Sequence, residues 1–173
     1  PISLERGEVR LTTPMMVSSR AAAQAPSKLG VRPGKSITVD QAIDAIVTKS
    51  ANDVAVVISE KLGGSEERFA EKMTATAHKL GMAQTTFHNA SGLPDPLQLS
   101  TARDMAILGK RLIQDHPEYY PLFSRMDFSY AGQQIHTHNH LLENYEGADG
   151  IKTGYTVASG YNLVSSAKRD SHR

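Results

Sequence analysis

Three groups of residues in this sequence could do chemistry. The first is Asp149-Gly150-Ile151-Lys152-Thr153-Gly154-Tyr155, where a cation and a hydroxyl stand side by side next to a glycine. An anionic end-group on a ligand wants that pair. A glycine inside a strand marks a bulge or a close approach of something to the backbone. The second is Ser50-Ala51-Asn52-Asp53, a hydroxyl and an amide that could grip a peptide group if both face one cleft. Inside a helix positions i and i+2 diverge, whereas in a turn between two helices they can converge. The same tetrapeptide also has a purely local reading: Ser50 caps a helix, Asp53 assists, and Asn52 is an ordinary first-turn residue. The third group is His136, His138 and His140, which alternate and would share one face of a strand. That is the geometry of a zinc site, with Glu143 as a nearby acid. A polar outer strand face explains the alternation equally, and no metal is assigned.

These residues need elements to position them. Residues 149–157 read as an edge-type strand, and 161–168 and 126–135 alternate like two more. Upstream, residues 8–39 are loop-rich, with 15–17 and 37–39 suited to brief strands. A helical period starts at Asp40, a plausible N-cap, and carries Ala42, Ile43, Ile46 and Val47. A second helix follows Ser50, with Val54, Val57, Ile58 and Leu62 inward and a stop at Gly63-Gly64. Its apolar start suggests a buried central helix. A third runs from the N-cap Ser65 to Leu80 with Gly81 behind it, its inner face formed by Phe69, Met73, Thr76 and Leu80. Ser100 caps a fourth, carrying Met105, Leu108 and Leu112. Helices first and a small antiparallel sheet afterwards give an α+β class. Residues 1–173 then form a single domain with a mainly helical part, 1–125, and a sheet part, 126–173.

Composition narrows the function. The 173 residues are 39% hydrophobic and 21% charged, with 19 basic and 18 acidic side chains for a net charge of +1. That balance, without a basic cluster, argues against a nucleic-acid partner. The longest strongly apolar run, 54–58, is far too short to span a bilayer. The absence of cysteine excludes disulfides and thiolate metal sites. The opening Pro1-Ile2-Ser3-Leu4-Glu5-Arg6-Gly7 reads as a last helical turn closed by Gly7. The close on Arg169-Asp170-Ser171-His172-Arg173 has no stop signal, so both ends read as cut.

Ser50-Ala51-Asn52 and Lys152-Thr153-Gly154 together resemble the second and third motifs of the penicillin-binding serine DD-peptidases. The likeness is closest to the low-molecular-mass D-alanyl-D-alanine carboxypeptidases. It extends through Ala23-Gln24-Ala25-Pro26-Ser27-Lys28-Leu29-Gly30, Asn89-Ala90-Ser91-Gly92-Leu93-Pro94-Asp95, Ser100-Thr101-Ala102-Arg103-Asp104-Met105 and Gly147-Ala148-Asp149-Gly150. The resemblance implies a penicillin-binding protein/β-lactamase-like fold, an antiparallel sheet flanked by helices, with the cleft between sheet edge and helical part. It implies removal of the terminal D-alanine from a peptidoglycan stem peptide ending in D-Ala-D-Ala, through an acyl-serine and without metal or organic cofactor. β-Lactams would bind the same site. Ser50 would relay protons, Asn52 would donate to the substrate's peptide carbonyl, and Lys152 and Thr153 would hold the terminal carboxylate. The N–H of Tyr155, just past Gly154, would serve the oxyanion hole. Such proteins work in the periplasm or cell envelope, outside the cytoplasmic membrane; any membrane contact would come through segments not in this chain.

One departure is serious. The family's first motif, Ser-x-x-Lys, supplies nucleophile and base from a helix. Here the only match is Ser165-Ser166-Ala167-Lys168, which reads as a strand. Positions i and i+3 of a strand point to opposite faces, so this match is rejected. The chain is then either part of an active enzyme or a non-catalytic wall- or β-lactam-binding relative that has lost its nucleophile. A metal-dependent hydrolase built on the three histidines is a third reading.

Overall fold

The computed structural model describes residues 1–170 and 172–173; the part of the C-terminal reading that falls on Ser171 lies outside the described residues. The chain starts with a single helical turn, α1 (Ile2–Glu5). Strand β1 (Pro14–Met16) follows, then the short helix α2 (Ser19–Ala22), then β2 (Ser36–Thr38). Strands β1 and β2 pair antiparallel with Met15 opposite Ile37, and both side chains are fully buried in the core. Helix α2 was not legible as one: it has four residues, and Ser18 caps it by accepting from the Ala21 N–H.

Helix α3 (Val39–Asp44) is capped by Thr38, not by Asp40. Thr38 and Gln41 form a reciprocal capping box that satisfies two backbone donors at once, which a lone Asp40 cannot do. A π-turn (Ala45–Lys49) then leads to Ser50 and the central helix α4 (Asn52–Gly63). Residues 52–57 are all buried, as the apolar sequence requires of a central helix. Helix α5 (Glu66–Leu80) has the expected Ser65 and Gly81 caps. Its buried stripe is Glu66, Ala70 and Ala77, while Phe69, Met73, Thr76 and Leu80 are half-buried. Helix α6 (Ala102–Asp115) is capped by Thr101 instead of Ser100, whose hydroxyl bonds Thr85. Gly109 lets α6 press on the sheet part: a Cβ there would lie 2.9 Å from Ile151 Cδ1.

The stretch 126–135 is not one strand but a hairpin, β3 (Asp127–Tyr130) and β4 (Gln133–His136). Its turn residues Ala131 and Gly132 both have positive φ, 49° and 79°, the twist that joins two strands tightly. After the single turn α7 (Leu141–Asn144), strands β5 (Ala148–Thr156) and β6 (Gly160–Ala167) form the last antiparallel pair. Three two-stranded antiparallel sheets with helices make the class α+β, as expected. β5 bonds β6 alone among the described strands and so is an edge. Its irregularity falls at Asp149, between Ala148 and Gly150, while Gly154 pairs regularly with Asn162.

The buried carboxylate of Asp53 ties the helical part together. It has no solvent exposure and accepts the N–H groups of Leu29 at 2.9 Å, Gly30 at 2.8 Å and Val31 at 3.2 Å. Removing it strands several buried donors, each worth about 1–3 kcal/mol. Asp53→Ala should therefore lower the unfolding free energy by about 3 kcal/mol or more in urea titration. A loss under about 1 kcal/mol would mean that the loop rearranges at little cost.

Candidate active site

Ser50 sits between the π-turn and α4 with φ 58° and ψ 43°, the left-handed region that a non-glycine residue rarely enters. Two hydrogen bonds made by Ser27, in the loop before β2, hold it there. Ser27 Oγ donates to the Lys49 carbonyl at 2.9 Å, and the Ser27 carbonyl accepts the Asn52 N–H at 2.8 Å. The local capping reading of Ser50 fails: the N-cap of α4 is Ala51, with no side-chain cap bond. Asp53 accepts the N–H groups of residues 29–31 and of Val54, so it does not pair with Ser50 in a cap.

Lys152 arrives from β5 and donates to Ser50 Oγ at 2.8 Å and to the Thr153 carbonyl at 2.9 Å. Burial disfavours its charge and pushes the ammonium down to about 8. A lysine so tuned can hold or release a proton near neutral pH, with a hydroxyl already in line to pass it on. The sequence-selected Ser50 and Lys152 are thus brought together. Asn52, 8% exposed, lies one turn away with Nδ2 bonded to the Ala25 carbonyl at 3.0 Å. Lys152, Thr153 and Gly154 line a cleft of about 1090 Å³ between α6 and the β5–β6 hairpin. Ser50 is not on that lining; it meets Lys152 from the α4 side. Tyr155 is turned outward, 60% exposed and stacked on Tyr161 at 4.6 Å between ring centroids.

The histidines do not gather. Strand β4 stops at His136, and His140 is the N-cap of α7. His136 bonds Asp127 and Glu143 at 2.8 and 3.0 Å, and His140 bonds the other oxygen of Glu143 at 3.4 Å. These carboxylates pull the His136 imidazole above its ordinary pKa, Asp127 first. His138 goes elsewhere, toward Lys152 and Lys49. Among the described residues no cluster of three or more His, Asp or Glu could hold a metal ion. Ser165 stands on β6, with Lys168 one residue beyond the strand's end, so the helical geometry that a Ser-x-x-Lys pair needs is not there. Sequence reading singled out His138 only as part of a histidine face and named Ser27 only within the likeness; it missed that both stand at the Ser50 turn, where the His138 N–H bonds the Thr48 carbonyl at 3.2 Å. Ser27 acts through its hydroxyl as well as its carbonyl, and His138 through its backbone N–H, in each case on a partner distant in sequence.

The family described as D-alanyl-D-alanine carboxypeptidase matches residues 2–173. The chain belongs to that family. It is 35% identical over 178 residues to the D-alanyl-D-alanine carboxypeptidase DacC of Escherichia coli, covering 99% of this chain and 44% of that one. Among solved structures it resembles penicillin binding protein 5 from Haemophilus influenzae with a TM-score of 0.93 and 32% identity, over 99% of this chain and 51% of that one. It also resembles penicillin-binding protein D2 from Listeria monocytogenes in an ampicillin-bound form, with a TM-score of 0.80 and 30% identity, over 97% and 69% of the two chains. The fold is therefore that of the penicillin-binding proteins. The chain spans about half the length of the curated relatives it matches.

Two outcomes follow from the family site's geometry. Ser50→Gly should be more stable than Ser50→Ala by about 1 kcal/mol, because glycine enters the left-handed region without strain; equal unfolding midpoints would show that the turn relaxes. Lys152→Met should raise the unfolding midpoint at pH 7. A base whose folded pKa is depressed destabilises the fold below about 8, and that cost fades as pH rises to the unfolded value of 10.5. The advantage of the methionine variant should accordingly vanish above about pH 10.5. A lower midpoint at pH 7 would mean that the Ser50 bond outweighs the desolvation.

Proposed function

We propose that this chain is part of a serine-type D-Ala-D-Ala carboxypeptidase that trims peptidoglycan stem peptides and is acylated by β-lactams. The observation that carries this reading is the 2.8 Å contact between Ser50 Oγ and a Lys152 ammonium held at about 8. The reaction is acyl transfer. A serine attacks the peptide carbonyl, the leaving D-alanine takes a proton, and water hydrolyses the acyl-serine. At pH 7 about nine-tenths of Lys152 is charged, from the one-unit gap to its pKa. With Thr153 it receives the terminal carboxylate and, through Ser50, passes a proton toward the leaving amine. Asn52 keeps one amide hydrogen free of its Ala25 bond for the substrate's peptide carbonyl. The β5 backbone past Gly154, at the Tyr155 N–H, supports the oxyanion. None of these roles calls for a metal or an organic cofactor. We also take 1–125 and 126–173 as two parts of one domain, working in the periplasm or cell envelope. Among the described residues no helix is long and apolar enough to cross a membrane.

A non-catalytic relative that binds muropeptide or β-lactam without acylation is the remaining reading. Intact mass after incubation with benzylpenicillin separates the two, measured on the full gene product and on residues 1–173 in parallel. One covalent adduct on the full gene product supports the enzyme, and peptide mapping then locates the acylated serine. No adduct on either chain sinks the enzyme in favour of the binding relative. For the active protein, kcat/KM should fall as pH rises through about 8, because the charged Lys152 is the working form. A rate that climbs through that range would instead make neutral Lys152 the working form.

A further inference from the structure

The segment that follows β4 has one side chain for which the carboxypeptidase reading has no use. Residues 135–140 alternate strictly, with Ile135, Thr137 and Asn139 buried and His136, His138 and His140 exposed. The buried members pin the segment: Thr137 N–H bonds the Met126 carbonyl, and Asn139 N–H bonds Thr137 Oγ1 at 3.1 Å. The His138 N–H bonds the Thr48 carbonyl, two residues before Ser50. His138 is thereby fixed beside the Ser50 turn. Its two histidine neighbours are both occupied by Glu143. Its own imidazole has lost proton affinity, by desolvation first and then through Lys152, Lys49 and His140. Those are the charged groups facing it from β5, from the π-turn and from its own loop, and no carboxylate is among them. The Lys49 ammonium makes no ion pair or hydrogen bond among the described residues.

We propose that Lys49 and His138 form a second anion-binding wall beside Ser50, one that selects stem peptides carrying a carboxylate other than the C-terminal one. The wall is separate from the Lys152–Thr153 pair, which is committed to the terminal carboxylate. An unpaired ammonium and an imidazole N–H on anchored backbone suit a side-chain carboxylate on the residue preceding D-Ala-D-Ala. This rests on the carboxypeptidase reading of the same site.

The test uses the full gene product and two matched peptides, N-acetyl-L-Glu-D-Ala-D-Ala and N-acetyl-L-Gln-D-Ala-D-Ala. The parent enzyme should favour the glutamate peptide by about fivefold in kcat/KM at pH 7, the size of one partly screened charge pair, with the difference in KM. The preference should disappear in Lys49→Ala and survive in Lys49→Arg. It should grow in the parent as pH falls and His138 gains charge, below the ordinary histidine range, and stay flat in His138→Gln. Turnover of both peptides without preference, or a preference that Lys49→Ala keeps, overturns this wall alone. No turnover of either peptide, together with no penicillin adduct, overturns the carboxypeptidase reading and the wall with it.

Discussion

A left-handed residue between two helices is the constraint on which the site depends. Holding a serine at φ 58° costs on the order of 1 kcal/mol, and an isolated chain would not pay it. Here the backbone is over-determined. Asn52 N–H and the Lys49 carbonyl are taken by Ser27, and the Asn52 side chain is taken by Ala25. The carboxylate of Asp53 holds the next three residues of the same loop. The turn cannot unwind into continuous helix without breaking that whole set. Backbone strain persists in this way, where the surroundings leave no cheaper arrangement.

The same turn explains why Lys152 is unusual. A hydroxyl on an ordinary helix start would be drawn back to its own backbone. Ser50 instead accepts a hydrogen bond from Lys152 of β5, an element far along the chain. The lysine is buried between the hairpin and the helical part, with no carboxylate to compensate it, and its pKa drops to about 8. Packing therefore does electrostatic work: the edge strand brings in a charge that water no longer shields. Gly109 favours this approach, since a Cβ there would lie 2.9 Å from Ile151 Cδ1 and that side chain would have to shift.

Much of this was legible in advance, and the misses have physical causes. Helices α4 and α5 announced themselves through period, glycine stops and the Ser65 cap, because those signals are local. Caps were misplaced by one or two residues at Thr38 and Thr101, where several polar residues compete for the same donors. The β3–β4 hairpin read as one strand because its alternation runs straight through the Ala131-Gly132 turn. The histidines looked like one face, and in exposure they are. Carboxylates on other elements then divide them, His136 and His140 onto Glu143 and His138 toward the lysines.

Residue types and local spacing were enough to determine the family and the α+β class, and to single out Ser50 and Lys152, which the fold brings together. A cation, hydroxyl and glycine in a row, and a serine and asparagine two apart, are written in the chain itself. Only the tertiary structure decided that Ser50 faces Lys152 instead of capping its own helix, and that Asp53 ties a distant loop to the helix start it also serves. It alone decided that His138 stands beside the site. Each of these outcomes depends on a partner more than twenty residues away, or on a backbone carbonyl, which every residue type presents alike.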